Sequence, residues 1–522
     1  MEGTIKKLYK KGPLPDANWT IIIYLNGESD LLDDVKRNYN QIAKYGSDFG
    51  NVNFVVLFDG LKVPKVKARN GASCNLPPRI YYVSRFEEFK DDNYLQEFPK
   101  QEDLSKPGNL ALIIRRIKKQ FPAKKFGFIY NGHGGAGGPA VDDNPMMVKL
   151  TTRQLHETEE ALIKRLKRKY EKEGWELSGT CTHVDNPEII LAVFIKEKSE
   201  RFLTYQQMGT ELSRSGFSQE NGLLGFICLD CCWGQQFETA ICFRNVTRYL
   251  IASPDEAALL GIGYEDFAEF LLQKHATIKY DELANNLVGI YFKNNYDDYL
   301  ASEEFSYMGV SLSCVDMGPD SKELDQFGRI IRDAAYWKMD HLADYLFYNL
   351  ERLWKVIWWA RHKCVDYTYM DDPDFYGTYN IDLLWFLENL LHYNHLYGRR
   401  AQLIDTELHI RVSRLQTELS MRFVKSNLAS NYKGLEVNST MPQLGGKGIA
   451  ITFPVTELQV DNSIYGNDLV FDGNKKWKRF VEKFAAYNTS NISRLNAEKH
   501  FRANKVSKWN FQKIYNSLAN ST

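Results

Sequence analysis

The chain has 522 residues, 44% hydrophobic and 25% charged, the balance of a soluble globular protein with more than one packed core. Lysine plus arginine equals aspartate plus glutamate at 66 each, so the formal net charge is zero and gives no reason to expect attraction to nucleic acid. No run of about 18 uninterrupted apolar residues occurs, so no membrane span is expected.

The opening residues, Met1 to Lys7, lack the apolar core of a signal peptide. The location expected from the sequence as it stands is therefore cytoplasmic, or secreted or periplasmic if a leader was removed. Eight cysteines are too few for a disulfide framework in so long a chain, and three fall within five residues (Cys228, Cys231, Cys232). Reduced thiols are the expectation.

In chain order, Trp19–Leu25 is a continuous β-branched run suited to a strand buried on both faces. An amphipathic segment over Leu31–Tyr45 and a second strand, Val52–Asp59, follow. Leu110–Phe121 has helical spacing with a basic outer face. Phe126–Tyr130, Leu223–Leu229, Tyr249–Ala252 and Val310–Val315 read as further strands. Strands alternating with helices predict an α/β fold with a mostly parallel sheet flanked by helices.

Residues 144–204 break this rhythm and read as an insert or processing linker, with a Lys/Arg/Glu-rich surface helix over Glu159–Lys172. Residues 1–320 thus form the predicted α/β domain and 321–522 a largely helical accessory domain. In the latter, Leu342, Leu346, Leu350, Leu353 and Ile357 predict one buried helix. Further helices are predicted over Ile381–Tyr393, Ala401–Leu428 and Trp477–Tyr487, with a strand at Gly448–Pro454.

Two strand ends carry the chemistry. Phe126–Tyr130 runs into Asn131-Gly-His-Gly-Gly-Ala-Gly-Gly138, and Leu223–Leu229 into Asp230-Cys-Cys-Trp-Gly234. Functional crevices of open parallel sheets lie at the carboxyl ends of strands. A histidine and a cysteine placed there can meet although about 100 residues separate them. A thiolate is the attacking species, and an imidazole can take the thiol proton and later serve the leaving amine. Backbone amides of the glycine-rich turn, with that of Cys232, could form an oxyanion hole.

Other readings compete. The glycine-rich turn can be a simple tight loop; as a phosphate cradle it lacks the following Lys-Ser or Lys-Thr. Cys228-x-x-Cys231 invites a zinc or redox reading, but no second pair completes a metal site and Cys228 sits inside an apolar strand.

These residues resemble the clostripain family of cysteine peptidases, peptidase family C11 of clan CD, which also holds caspases and legumains. Tyr130-Asn-Gly-His-Gly-Gly135 is similar to its Trp-x-His-Gly-x-Gly signature, and Asp230-Cys-Cys-Trp-Gly234 with Glu238 to its Asp-Ala-Cys-Leu-Met-Gly motif with a later glutamate. Trp19–Leu31, Asp103–Leu110, Phe121–Phe126, Arg248–Ser253, Tyr379–Leu383 and Gly448–Pro454 resemble other family segments, so the likeness spans nearly the whole chain.

The resemblance implies a caspase-like fold and a cysteine endopeptidase, with His133 as base and Cys232 as nucleophile. It makes Cys231 a bystander, implies Gly134 and Cys232 as oxyanion donors, and places Asp230 at the floor of the S1 pocket. A carboxylate there would bind a P1 Arg or Lys, whereas an unrelated alternative has Asp230 capping the next helix.

Self-cleavage within the insert is also implied, with Lys149, Arg153, Lys164 and Arg168 as basic positions. No required cofactor is expected; Asp255 and Glu256 could hold calcium, although no EF-hand pattern is present. The expected partners are protein or peptide substrates, and a monomer is expected. Two departures from the family bear on the pocket: Trp233 stands between Cys232 and Gly234, and the loop after Ser253 lacks the family's acidic, Pro-Gly-rich form. The competing class is a catalytically silent binding or scaffolding protein on the same fold.

Overall fold

The computed structural model describes residues 2–27, 31–60, 77–98, 104, 106–135, 138–142, 146–151, 168, 176–183, 186–195, 201–255, 257–258, 260–301, 310–318, 333–365, 367, 379–401, 404–429, 446–461, 463–465 and 474–494. The chain divides into two compact units. The first holds Met1–Cys232, Asn245–Tyr249 and Ala257–Asn295; the second holds Trp233–Arg244, Leu250–Glu256 and Tyr296–Thr522.

The first unit is built on strands β1 (Ala17–Gly27), β2 (Val52–Gly60), β3 (Arg79–Tyr82), β4 (Gln96–Glu97) and β5 (Ala123–Asn131). Short strands β6 (Gly134–Gly135) and β7 (Gly138–Asp142) form a hairpin after β5. Strands β8 (Met146–Thr151), β9 (Glu176–His183) and β10 (Asn186–Ile195) make a separate antiparallel sheet in the order β8-β10-β9. This sheet occupies the region read as an insert, where no strand was expected although Ile189–Ile195 is an apolar, β-branched run. The helix expected over Glu159–Lys172 lies outside the described residues apart from Arg168. Strands β11 (Arg201–Phe202), which pairs with β7, and β12 (Leu224–Asp230) complete the unit's own strands.

Strand β13 (Thr247–Ala252) is divided between the units at Tyr249. The second unit contains β14 (Ser311–Asp316), β15 (Asn380–Asp382), β16 (Val424–Ala429) and β17 (Ala450–Thr452). The principal sheet has nine strands, in the order β16-β14-β13-β12-β5-β1-β2-β3-β4. Its centre is parallel: β2 with β1, β1 with β5 and β5 with β12. Antiparallel pairs lie toward the edges, β2 with β3, β3 with β4 and β14 with β16. The predicted α/β class with a mostly parallel sheet is therefore the observed one.

The central strands form where expected because their β-branched and aromatic side chains are buried on both faces. Ile21, Ile22 and Ile23 in β1 and Phe54, Val55 and Val56 in β2 are all fully buried, each worth about 1.5–3 kcal/mol of apolar burial. Helices Leu32–Ala43 and Asn109–Gln120 match the two predicted amphipathic segments. The second helix starts at Gly108 with no cap from that residue's side. Its amides at Gly108 and Ala111 instead donate to the buried carboxylate of Glu211, at 2.8 and 3.1 Å. An anion at a helix N-terminus is favoured by the helix dipole, and Arg214 pairs with the other oxygen at 3.0 Å.

The second unit is mainly helical, and two expectations there are corrected. The single helix expected through Leu342–Ile357 is two, Ala334–Tyr348 and Leu350–His362. The break falls at Asn349, whose side-chain and backbone N–H groups both donate to the Tyr345 carbonyl, a local bond that competes with helix propagation. The helix expected over Ala401–Leu428 ends at Glu418, passes through a π-helical turn at Leu419–Phe423 and becomes β16. Pairing with β14 outweighs the helical spacing of those residues. The strand at β17 and the closing helix, Lys475–Arg494, follow the sequence reading. Phe386, Phe453, Trp477, Phe480 and Phe484 form the unit's aromatic core. Among the described residues no helix is long and apolar enough to cross a membrane.

Replacing Glu211 by Ala leaves two helix-terminal amides without their acceptor. We expect a stability loss of about 1–3 kcal/mol, read as a lower urea midpoint at unchanged slope.

Candidate active site

The parallel ladder between β5 and β12 sets the geometry. Gly127 faces Phe226, Ile129 faces Cys228 and Asn131 faces Asp230, the last residue of each strand. His133 and Cys232 each follow two residues later, so the two motifs leave the sheet side by side. Gly134 shows how close they come. A Cβ at that position would lie 2.6 Å from Cys231 Sγ and 3.0 Å from the Cys232 carbonyl oxygen. Only a residue without a side chain permits that approach.

The histidine loop is held from beneath. The Tyr130 hydroxyl donates to the His133 carbonyl at 2.9 Å and accepts from Asn26 Nδ2 at 3.3 Å. A Cβ at Gly132 would lie 2.8 Å from the same hydroxyl. His133 itself is half-buried.

The adjacent cysteines have different surroundings. Cys231 is 2% exposed, with its sulfur 3.7 Å from the Tyr205 hydroxyl. Burial pushes its thiol far above the usual range, so it stays protonated and unreactive at neutral pH. Cys232 is half-buried, and its sulfur accepts the Ala257 amide at 3.4 Å. Hydrogen bonding to a sulfur favours its anionic form. Cys228 is fully buried in β12, and none of the three forms a disulfide. Among the described residues no group of three or more His, Cys, Asp or Glu is placed to hold a metal ion.

Asp230 is 5% exposed at the end of β12. Its Oδ2 accepts from Asn131 Nδ2 and from the Tyr264 hydroxyl, each at 2.8 Å. Asn131 is oriented in turn by Asn38 Nδ2, which donates to its Oδ1 at 3.0 Å. Burial raises the Asp230 pKa to about 6; the Tyr264 hydroxyl, the Ile262 amide, Asn131 and the Arg37 charge pull it back. Gly261, at φ +70°, would bring a Cβ within 2.9 Å of Oδ2. The capping alternative does not describe this carboxylate. Helix Phe237–Phe243 begins at Gln236 with no side-chain cap.

Within the Asp230–Gly234 segment, Trp233 takes a left-handed conformation, φ +53°, that costs a non-glycine residue about 1–2 kcal/mol. The Trp233 amide donates to the Asp255 carbonyl at 2.9 Å and that of Gln235 to the Ser253 carbonyl at 2.8 Å. Asp255 is buried and its amide bonds to Ser253 Oγ; Glu256 lies outside the described residues.

Several of these residues had no signal in the sequence. Tyr130, Tyr205 and Tyr264 were legible only as apolar bulk or loop, and Asn131 only as a strand-end polar residue. Their roles depend on neighbours 3 to 104 positions away.

No protein-family model matches the chain, and no curated protein matches it. Among solved structures it is similar to a secreted C11 cysteine protease from Bacteroides thetaiotaomicron in complex with an irreversible peptide inhibitor. The identity is 12%, the match covers 88% of this chain and 99% of the other, and the TM-score is 0.50. It is also similar to an inactive zymogen C11 protease from Parabacteroides distasonis, at 15% identity over 88% of this chain and 98% of the other, with a TM-score of 0.48. The first likeness establishes a shared fold: the chain has the architecture of the C11 cysteine proteases, the family its motifs resemble.

The cysteine environments predict selective labelling. At pH 7.5 iodoacetamide should modify Cys232 in the native protein and leave Cys231 unmodified until denaturant is added, as read by peptide mass spectrometry. Equal native labelling of both would contradict the environments described.

Proposed function

We propose that the protein is a cysteine endopeptidase in which Cys232 is the nucleophile and His133 the general base. The observation that carries this reading is the β5–β12 register, with Asn131 facing Asp230 and Gly134 lying against Cys231 and Cys232. The residue types fit the chemistry at that place. His133 takes the Cys232 thiol proton as the sulfur attacks the scissile carbonyl carbon. The carbonyl oxygen becomes an oxyanion, for which the amides of Gly134 and Cys232 are the proposed donors. Collapse breaks the C–N bond, His133 gives its proton to the leaving amine, and a thioester remains. Water then attacks the thioester with His133 again taking a proton; the carboxylate product leaves and the Cys232 thiol is restored.

Asp230 is the proposed S1 carboxylate, selecting Arg or Lys at P1. Its donors Asn131 and Tyr264 fix the carboxylate before substrate arrives, which removes part of the ordering cost of binding. Maturation by self-cleavage within residues 144–204 belongs to the same reading, and a mass spectrum of the resting protein tests it.

The deciding assay offers Arg- and Lys-terminated fluorogenic peptides to the protein and its variants. Cys232→Ala and His133→Ala should each lower kcat/KM by about 10³-fold or more. Cys231→Ala should stay within about threefold. No turnover of any peptide, or full turnover by Cys232→Ala, would overturn the proposal.

Asp230 adds a pH signature. Its pKa in the folded protein is raised to about 6, so it is anionic above that pH and neutral below it. KM for Arg peptides should therefore rise as pH falls through about 6, and Asp230→Asn should remove that limb along with most of the basic-residue preference.

A further inference from the structure

Glu238, six residues after Cys232, is a carboxyl group buried with no exposure in helix Phe237–Phe243, and the peptidase chemistry makes no use of it. Its Oε1 accepts from the Tyr465 hydroxyl at 2.5 Å, the Thr452 amide at 3.3 Å and Asn474 Nδ2 at 3.5 Å. The turn just before the helix reaches the same strand by its backbone. The Ala450 amide donates to the Gln235 carbonyl at 3.0 Å, and Gln236 bridges to Ala450. Ala450 and Thr452 lie two residues apart in β17, hence on one face of the strand. Thr452 is itself fixed: its hydroxyl donates to Asn380 Oδ1 at 2.9 Å, and its carbonyl accepts Trp477 Nε1 at 3.0 Å.

Resting on the reading of Cys232 as nucleophile, we propose that Glu238 is a positioning residue that ties the first turn of helix Phe237–Phe243 to β17, Tyr465 and Asn474, and so holds Trp233–Gln236, the segment joined directly to Cys232, in its left-handed turn.

The brace works in the protonated form. Burial raises the Glu238 pKa to about 7, against the pull of the Tyr465 hydroxyl, the Thr452 amide and Asn474. Among the described residues its second oxygen, Oε2, has no hydrogen-bond partner, and neither do Gln235 Oε1 and Thr239 Oγ1. A proton on Oε2 spares the site a buried negative charge, which has no other compensation on that oxygen.

No cation pairs with this carboxyl among the described residues. On its own helix, Cys242 is a half-buried thiol whose pKa desolvation raises, with Arg244 at the C-terminal end. From helix Lys475–Arg494, Lys478 donates to the Tyr465 carbonyl and pairs with Glu482. From β15, Asp382 takes the Tyr367 hydroxyl and the Trp385 and Lys447 amides. Arg361, from helix Leu350–His362, donates to the Phe453 carbonyl.

The sign follows. A folded pKa raised from 4.5 to about 7 makes the stability contribution greatest below about 4.5 and lost as pH rises to about 7. Above that, a buried carboxylate without a counter-charge loosens the turn that follows Cys232.

The test compares Glu238→Gln and Glu238→Ala with the parent between pH 5.5 and 9. Three readings are taken: kcat and KM on an Arg peptide, the rate of Cys232 alkylation by iodoacetamide, and Tm. The parent should show an inflection near pH 7 in both rates that Glu238→Gln lacks, and the Gln variant should match the parent at pH 6 within about threefold. Glu238→Ala should lose about tenfold or more in kcat with KM little changed. A Gln variant that keeps the parent's inflection, or a folded Ala variant with parental kcat and alkylation rate, would overturn the proposal. Should the Ala variant not fold, the Gln profile alone decides. Should no peptide be cleaved, the peptidase reading fails, and the alkylation profile still decides the role of Glu238.

Discussion

The site depends on one constraint, the parallel register that sets Asn131 of β5 opposite Asp230 of β12. Side chains in a strand have a period of two, so a slip of one residue would turn every β12 side chain to the other face. Asp230 would lose Asn131, and the Cys231–Cys232 pair would no longer meet Gly134. The register is held by burial. Phe226, Ile227, Cys228 and Leu229 are fully buried, as are Phe128, Ile129 and Tyr130 opposite them. A slip would push these side chains into the opposite, already close-packed layer and would bury Asp230 away from its donors, and two distant motifs are thereby delivered to one place.

Once delivered, the polar groups are sorted by how much solvent they keep. Cys231 and Cys232 are neighbours, yet burial silences one thiol while the other stays half-exposed and takes a backbone N–H. Asp230 is buried but has three donors and a nearby arginine charge, and its pKa is about 6. Glu238 is buried with donors on one oxygen only, and its pKa is about 7. Both follow from desolvation opposed by hydrogen bonding to the charged form. A chain that keeps two such carboxyls near one short motif accepts a stability penalty, which polar groups at functional sites commonly carry.

Most of the sheet was legible in the sequence because its strands are short, β-branched and buried on both faces, a pattern that does not depend on context. The strand ends were legible for the same reason: Asn131 and Asp230 are where the apolar runs stop. The three-stranded sheet of Met146–Thr151, Glu176–His183 and Asn186–Ile195 was missed: Ile189–Ile195 is an apolar, β-branched run, but the Lys/Arg/Glu-rich stretch before it drew the reading toward a surface helix. The break at Asn349 and the change from helix to strand at Val424 each turn on a tertiary or side-chain bond that no spacing reveals. Within the site, His133, Cys232 and Asp230 could be named from motifs, but their supports could not. Tyr130 beneath the histidine loop, Tyr264 on Asp230 and the Ala257 amide on Cys232 come from elsewhere in the fold. The left-handed conformation of Trp233, at φ +53°, is likewise invisible in the sequence, because a tryptophan gives no sign of positive φ.

The central claim is that Cys232, aided by His133, attacks the carbonyl carbon of a peptide ending in a basic residue. Covalent capture tests it most directly. The protein is incubated with a peptidyl chloromethyl ketone ending in Arg, digested, and the modified residue located by mass spectrometry. The account predicts one adduct per chain, on Cys232, formed much faster than with iodoacetamide and suppressed in His133→Ala. An adduct on Cys231 or another thiol, or capture no faster than by iodoacetamide, would contradict it.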